Sequence, residues 1–213
     1  VIVALAGAPG AGKGTQGDLI SERLGYRKIS TGDVLRKHIK QGTEVGKIAE
    51  EVISQGKLVS DEILLKLIQT ELSEDLNESI LLDGYPRNLA QAQDLSSLGE
   101  LHEVKKVLHL EVGKDELIER LSGRVLCKGC GRSYHEKLNP PPDSGCGSCG
   151  SSEFVQREDD RPDKISVRLD VYNTETAPML DFYKDKNLYQ LIDGAGDSEE
   201  VFARIEGVLQ GIG

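Results

Sequence analysis

Apolar positions along the chain fall into two alternating rhythms. Val1 to Ala6 is an unbroken apolar run with β-branched residues, stopped by Gly7, and reads as a strand buried on both faces. Leu19, Ile20 and Leu24 then share one helical face, with Gly25 placed as its stop. Tyr26–Ile29 is a short strand candidate. Ser30-Thr31-Gly32-Asp33 supplies N-cap chemistry for a helix with Val34, Leu35 and Ile39, ended near Gly42. The next helix carries Val45, Ile48, Ala49, Val52 and Ile53, with Gly56 after it. Another opens at Ser60-Asp61-Glu62 and presents Ile63, Leu64, Leu67, Ile68 and Leu72. Ser79–Asp83 predicts a further buried strand, and Asn88 caps a helix bearing Leu89, Ala92 and Leu95. Val107–Val112 predicts a strand, Asp115–Leu121 a short helix and Leu188–Ile192 a fifth strand. A last helix carries Val201, Phe202, Ile205, Val208, Leu209 and Ile212. Strands alternating with helices, several strands wholly apolar, predict an α/β fold: a parallel sheet with helices on both faces. No internal repeat is present.

The rhythm breaks between Gly123 and about Asp160, where helical periodicity stops. All four cysteines lie here, as Cys127-x-x-Cys130 and Cys146-x-x-Cys149, with fifteen residues between the pairs. That spacing suits a closed tetrahedral structural metal site of four thiolates, with Gly131 and Gly150 turning the chain after each pair. Zinc is the first reading, and iron or cobalt would also accept four thiolates. Two disulfides or redox pairs are the alternatives. His135 lies nearby, but four cysteines fill the site, so it reads as an ordinary polar contact. A nucleic-acid-gripping ribbon would need a basic, aromatic surface. This insert instead carries Glu136, Asp143, Glu153, Glu158, Asp159 and Asp160, with only Tyr134 and Phe154 as aromatics.

Composition narrows the class. The 213-residue chain has net charge −10, few aromatics and no Trp, which argues against non-specific binding to nucleic acid or anionic membrane. No apolar run approaches membrane-spanning length. The chain opens on Val1, directly in strand and glycine loop. No signal peptide is expected, an upstream residue or two is expected to have been removed, and a cytoplasmic protein follows. No exposed apolar stripe declares itself, so a monomer is expected.

The chemistry begins at Gly7-Ala-Pro-Gly10-Ala11-Gly12-Lys13-Gly14-Thr15. Strand, glycine loop, lysine and helix N-terminus together form a phosphate cradle, in which Lys13 reaches terminal phosphates. Gly14 stands where the usual loop has its hydroxyl, and Thr15 arrives one position late. The bland alternative is a glycine-rich turn in an unrelated α/β domain. Asp83 closes a buried strand, a position suited to Mg²⁺ directly or through water, or to capping the next turn. Arg36, Arg87, Arg120, Arg124, Arg157 and Arg168 flank the glycine loop, the helical stretch after Ser30 and the cysteine region. Singly each reads as a surface charge; together they suit two phosphorylated substrates held end to end.

These motifs, Gly7 to Thr15, Ser30-Thr31-Gly32-Asp33, Asp83-Gly-Tyr-Pro-Arg87 with Gln91, and Gly123-Arg124 opening the four-cysteine segment, resemble the adenylate kinase family in its long-lid form. The likeness spans essentially the whole chain, in order. It implies a P-loop nucleoside monophosphate kinase fold with a five-stranded parallel core of residues 1–29, 60–122 and 161–213. A helical AMP-binding insert would occupy 30–59 and a metal-binding lid 123–160. The implied reaction is reversible transfer of the γ-phosphoryl of Mg·ATP to AMP, giving two ADP. The resemblance assigns Gly10, Ala11, Gly12, Lys13, Gly14 and Thr15 to the ATP phosphates, Arg120 and Arg124 to ATP from the lid side, and Ser133 and Tyr134 to its ribose. Backbone at Ala195 or Gly196 would meet the adenine. AMP would be held by Thr31, Gly32, Arg36, Lys57, Leu58, Val59, Gly84, Arg87 and Gln91. Arg157 and Arg168 would bridge both nucleotides. Asp83 would position Mg²⁺ waters, with Asp159 and Asp160 helping the lid close over a water-free site. Neighbouring readings are another nucleoside monophosphate kinase, a GTP-dependent AMP kinase, or a nucleotide binder without transferase activity.

Overall fold

The computed structural model describes residues 1–55, 57–72, 78–99 and 103–212; Gly56, expected after a helix, lies outside them. Its order is β1 (Ile2–Gly7), α1 (Lys13–Leu24), β2 (Arg27–Ser30), α2 (Thr31–Lys40), α3 (Glu44–Ser54), α4 (Asp61–Leu72), β3 (Ile80–Asp83), α5 (Leu89–Ser97), β4 (Val104–Glu111) and α6 (Lys114–Ser122). The cysteine region contributes β5 (Arg124–Cys127), β6 (Ser133–His135), β7 (Phe154–Val155) and a 3-10 turn at Glu158–Asp160. The chain finishes with α7 (Pro162–Val171), a π turn (Tyr172–Thr176), α8 (Ala177–Asp185), β8 (Tyr189–Asp193) and α9 (Ser198–Leu209). Among the described residues no helix is long and apolar enough to cross a membrane.

The expected five-stranded parallel sheet is present in the order β2-β3-β1-β4-β8. Side chains alternate across it, as a pleated strand requires. Ile2, Ala4, Ala6, Ile80 and Leu82 face a core closed by α2 to α5 and α8. Val3, Leu5, Leu81, Leu108 and Leu110 face a second core closed by α1, α6, α7 and α9. This two-sided burial explains why the strands read as continuous apolar runs.

Local signals act as their chemistry dictates. The Ser30 side chain accepts from the Asp33 N–H at 3.3 Å, the Asn88 side chain from the Gln91 N–H at 2.9 Å, and Gly25 ends α1 at φ 73°. Strand ends shift by a few residues: β4 begins at Val104 rather than Val107, and β8 runs to Asp193. The cysteine region, expected only to lack helix, forms an antiparallel sheet in the order β6-β5-β7. The π turn and α8 have no counterpart in the periodicity.

Parallel strands place all five carboxyl ends on one edge, where crevices form at a switch in strand order. β1 feeds the glycine loop there, between β3 and β4. Leu82 is fully buried on β3. Leu82→Ala should lower unfolding free energy by about 2–5 kcal/mol in urea titration, whereas a loss near zero would contradict this core assignment.

Candidate active site

At the end of β1 the chain turns through Gly10 and Gly12, whose φ of +86° and +94° a side chain would oppose. Gly12 is the N-cap of α1 and offers no side chain to its N–H groups, so these remain available to an anion. The Lys13 ammonium folds back and donates to the carbonyls of Gly7 at 2.7 Å and Ala8 at 2.9 Å.

Asp83 pairs in register with Leu5 on one side and Ser30 on the other, which puts its carboxylate beside the glycine loop. Burial raises its pKa, Lys13 and Lys28 pull it back, and Asp33 pushes it up again. Asp33 and Lys28 therefore belong to this site, although the sequence reading assigned them no role there. Asp33 read as part of a helix cap, and only the β2–β3 register brings it toward Asp83.

The arginines converge on a cleft of about 1030 Å³, lined by the glycine loop, the α2–α3 region and the cysteine region. Each is held by a neighbour. Arg124 forms a two-bond pair with Asp160 at 2.7 and 2.6 Å, and Arg157 pairs with Asp159 at 2.8 and 2.5 Å. Arg168 donates to Asp160 at 2.5 Å and to the Asp159 carbonyl at 3.1 Å. Arg120 donates to Glu116 at 2.5 Å and to the Gly194 carbonyl at 3.0 Å, and Arg36 pairs with Asp33. Arg87 donates to the Gly84 carbonyl at 2.7 Å. The 3-10 turn carrying Asp159 and Asp160 lies beside α3, so the cysteine region meets the α2–α3 helices across the cleft.

The remaining expected residues divide. Gly10 to Thr15, Thr31, Gly32, Lys57, Leu58, Val59, Gly84, Ser133, Tyr134 and Gly196 all line the cleft. Gln91 does not: its carbonyl accepts the Arg87 N–H at 2.7 Å and its amide donates to Asp61 at 2.6 Å. Tyr134 has a second engagement, donating to the Cys146 sulfur at 3.3 Å while accepting the Gly147 N–H at 2.9 Å.

All four cysteines are free thiols, and their sulfurs lie within 4.8 Å of one another, with Cys127–Cys149 and Cys130–Cys146 at 3.5 Å. A tetrahedron with metal–sulfur bonds of about 2.3 Å has edges of about 3.8 Å, so this donor set fits a structural metal. The hydrogen bond from Tyr134 draws the Cys146 thiol down to about 6, whereas the Cys130 thiol is pushed up, its backbone hydrogen bond outweighed by desolvation and the sulfurs beside it.

An adenylate kinase family model matches residues 5–188. The adenylate kinase of Methanosarcina barkeri is 44% identical over 214 aligned residues, covering 98% of each chain. Those of Caldicellulosiruptor bescii and a Geobacillus species are each 45% identical over 97–98% of both chains. The chain belongs to the adenylate kinase family.

In this family member, the base of the cysteine region carries a set of polar contacts. His135 is buried; its Nε2–H donates to the Glu119 carbonyl at 3.1 Å, and Nδ1 accepts the N–H groups of Lys137 and Leu138, each at 3.0 Å. A Cβ at Gly123 would collide with this ring. The histidine thus makes the polar contacts expected of it, and they fasten the region to the end of α6.

Electrostatics in the cleft favour anions. Burial lowers the Lys13 pKa from 10.5 to about 7; Asp83 opposes the shift while Arg87, Arg168 and Arg124 add to it. Burial likewise lowers Arg168 to about 10. A bound polyphosphate would restore the Lys13 proton, so binding takes up a proton above pH 7 and affinity falls as pH rises. In Mg-free calorimetry the Kd for ATP should weaken by about fifty-fold from pH 7 to pH 9, and Lys13→Arg should flatten that slope. A Kd independent of pH would contradict the assignment.

Proposed function

We propose that this chain transfers the γ-phosphoryl of Mg·ATP to AMP, giving two ADP, within a core of residues 1–29, 60–122 and 161–213 that carries an AMP-binding insert at 30–59 and a lid at 123–160. One observation carries the reading. Among the described residues, seven arginines and Lys13 line one cleft that also borders both inserts, more cation than a single triphosphate requires.

In this reading the backbone from Gly10 to Thr15 and Lys13 hold the ATP phosphates, with Arg120 and Arg124 approaching from the lid. Ser133, Tyr134 and Gly196 border the ATP nucleoside. Thr31, Gly32, Arg36, Lys57, Leu58, Val59, Gly84 and Arg87 form the AMP side. Gln91 acts there through Asp61 and the Arg87 N–H rather than from the cleft wall. An oxygen of the AMP phosphate attacks the γ-phosphorus in line, the bond to the β–γ bridging oxygen breaks, and ADP leaves. Arg87, Arg157 and Arg168 meet the charge that spreads over the transferring group. The carboxylates now pairing with Arg124, Arg157 and Arg168 keep these cations placed until phosphate arrives, which limits reorganisation during transfer. Asp83, with Asp33 beside it, orients waters of the Mg²⁺ that accompanies ATP. Closure of the lid excludes water as a competing acceptor.

The four-cysteine site holds zinc, or iron or cobalt in its place, and stabilises a lid whose own apolar core is little more than Tyr134 and Phe154 at 5.5 Å. No cysteine takes part in transfer. A thiolate metal site needs reduced cysteines, which supports a cytoplasmic location, and the chain acts as a monomer.

With Mg·ATP, diphosphate formation should be fast with AMP and slow with GMP, CMP or UMP, as read by chromatography of the products. Preference for another acceptor would keep the phosphate chemistry but overturn the AMP assignment, and no transfer at all would leave only a nucleotide binder. Chelating the lid metal should lower Tm substantially while sparing the turnover of protein that stays folded. Equal losses of both would contradict a purely structural metal.

A further inference from the structure

The helix that leaves the lid is interrupted. After α7 comes a single π turn, closed by the Ala177 N–H donating to the Tyr172 carbonyl, and then α8. Pro178 supplies a reason: it has no N–H for the carbonyl four residues back, and its ring crowds that carbonyl. π turns inside helices are frequent at functional sites. Here the helix also changes layers. Ile165 and Leu169 of α7 belong to one core, whereas Met179, Leu180 and Tyr183 of α8 belong to the other.

Both ends of the turn are fastened. At the first, the Tyr172 hydroxyl meets His109 Nε2 at 2.8 Å, and His109 Nδ1 meets the Tyr189 hydroxyl at 2.9 Å. His109 sits on β4 in register with Ala6, just before the glycine loop. Burial lowers its pKa, so the ring is neutral near pH 7, one nitrogen donating and the other accepting, and two hydroxyls suit it. At the second end, buried Thr176 donates to the Arg87 carbonyl at 2.6 Å. Arg168 lies four residues before Tyr172, one helical turn along the same face. Tyr172 also separates the cleft from a second cavity of about 560 Å³ that reaches His109, which leaves room for its ring to move once released.

We propose that this π turn is a positioning device that sets Arg87 against Arg168, with Thr176 acting through the Arg87 carbonyl and the Tyr172–His109 pair anchoring the turn to the sheet. The inference rests on the reading that these two arginines hold the transferring phosphates.

Thr176→Val keeps the side-chain shape and removes the donated hydrogen bond. It should lower kcat by about ten-fold or more, because misplacement by an ångström is enough for such losses, with KM for both nucleotides within about three-fold. Thr176→Ser should return kcat to within about two-fold of the parent. In an Arg87→Lys background, Thr176→Val should add less than about two-fold, since both changes act through one group. Should the valine variant fail to fold, Tyr172→Phe takes its place, with an expected kcat loss of about three-fold or more and unchanged KM. A valine variant with parental kcat, a serine variant as impaired as valine, or a full extra loss in the Arg87→Lys background would overturn the device. Parental kcat in Arg87→Lys alone would instead remove the reading of Arg87 on which it rests.

Discussion

Concentrated positive charge in a partly buried cleft is the constraint on which this molecule depends. The chain carries net charge −10, yet the cleft gathers arginines and Lys13. Such a cluster repels itself and loses hydration, as the lowered pKa of Lys13 records. Local carboxylates offset this cost. Asp160, fully buried, serves both Arg124 and Arg168, and Asp159 serves Arg157. These two aspartates follow each other in one short turn, so a single element organises three cations from the lid and from α7. The arrangement is poised for an anion of higher charge.

Everything around the cleft serves to bring those charges to one edge. The parallel sheet aligns strand ends, and its two-sided burial fixes register, so Asp83 and the glycine loop cannot drift apart. The lid is built differently. It has its cysteines and one aromatic pair in place of a core, and His135 ties its base to α6. Hydrogen bonds at its base, with the metal proposed for the four thiols, would give this small element rigidity that burial alone would not supply.

Much of this was legible in the sequence, for reasons that also mark where legibility ended. Strands buried on both faces leave continuous apolar runs, and a phosphate loop and paired cysteines depend on short fixed spacings. Contacts set by tertiary register leave no such trace. Asp33 looks like a helix cap until β2 lies beside β3. The sequence likewise gives no sign of the hydrogen bonds that Gln91 makes to Asp61 and to the Arg87 N–H. The π turn and α8 escaped because the apolar residues of α7 and α8 face two different cores, and the π turn shifts the 3.6-residue phase between them.

If the cleft is built as proposed, phosphate chains rather than nucleosides complete its charge balance. Thermal unfolding with inorganic tripolyphosphate, against chloride at matched ionic strength, tests it most directly. The account predicts a Tm raised by several degrees through binding to the folded state alone, and a much smaller rise in Arg124→Ala. An unchanged Tm at millimolar tripolyphosphate would contradict it.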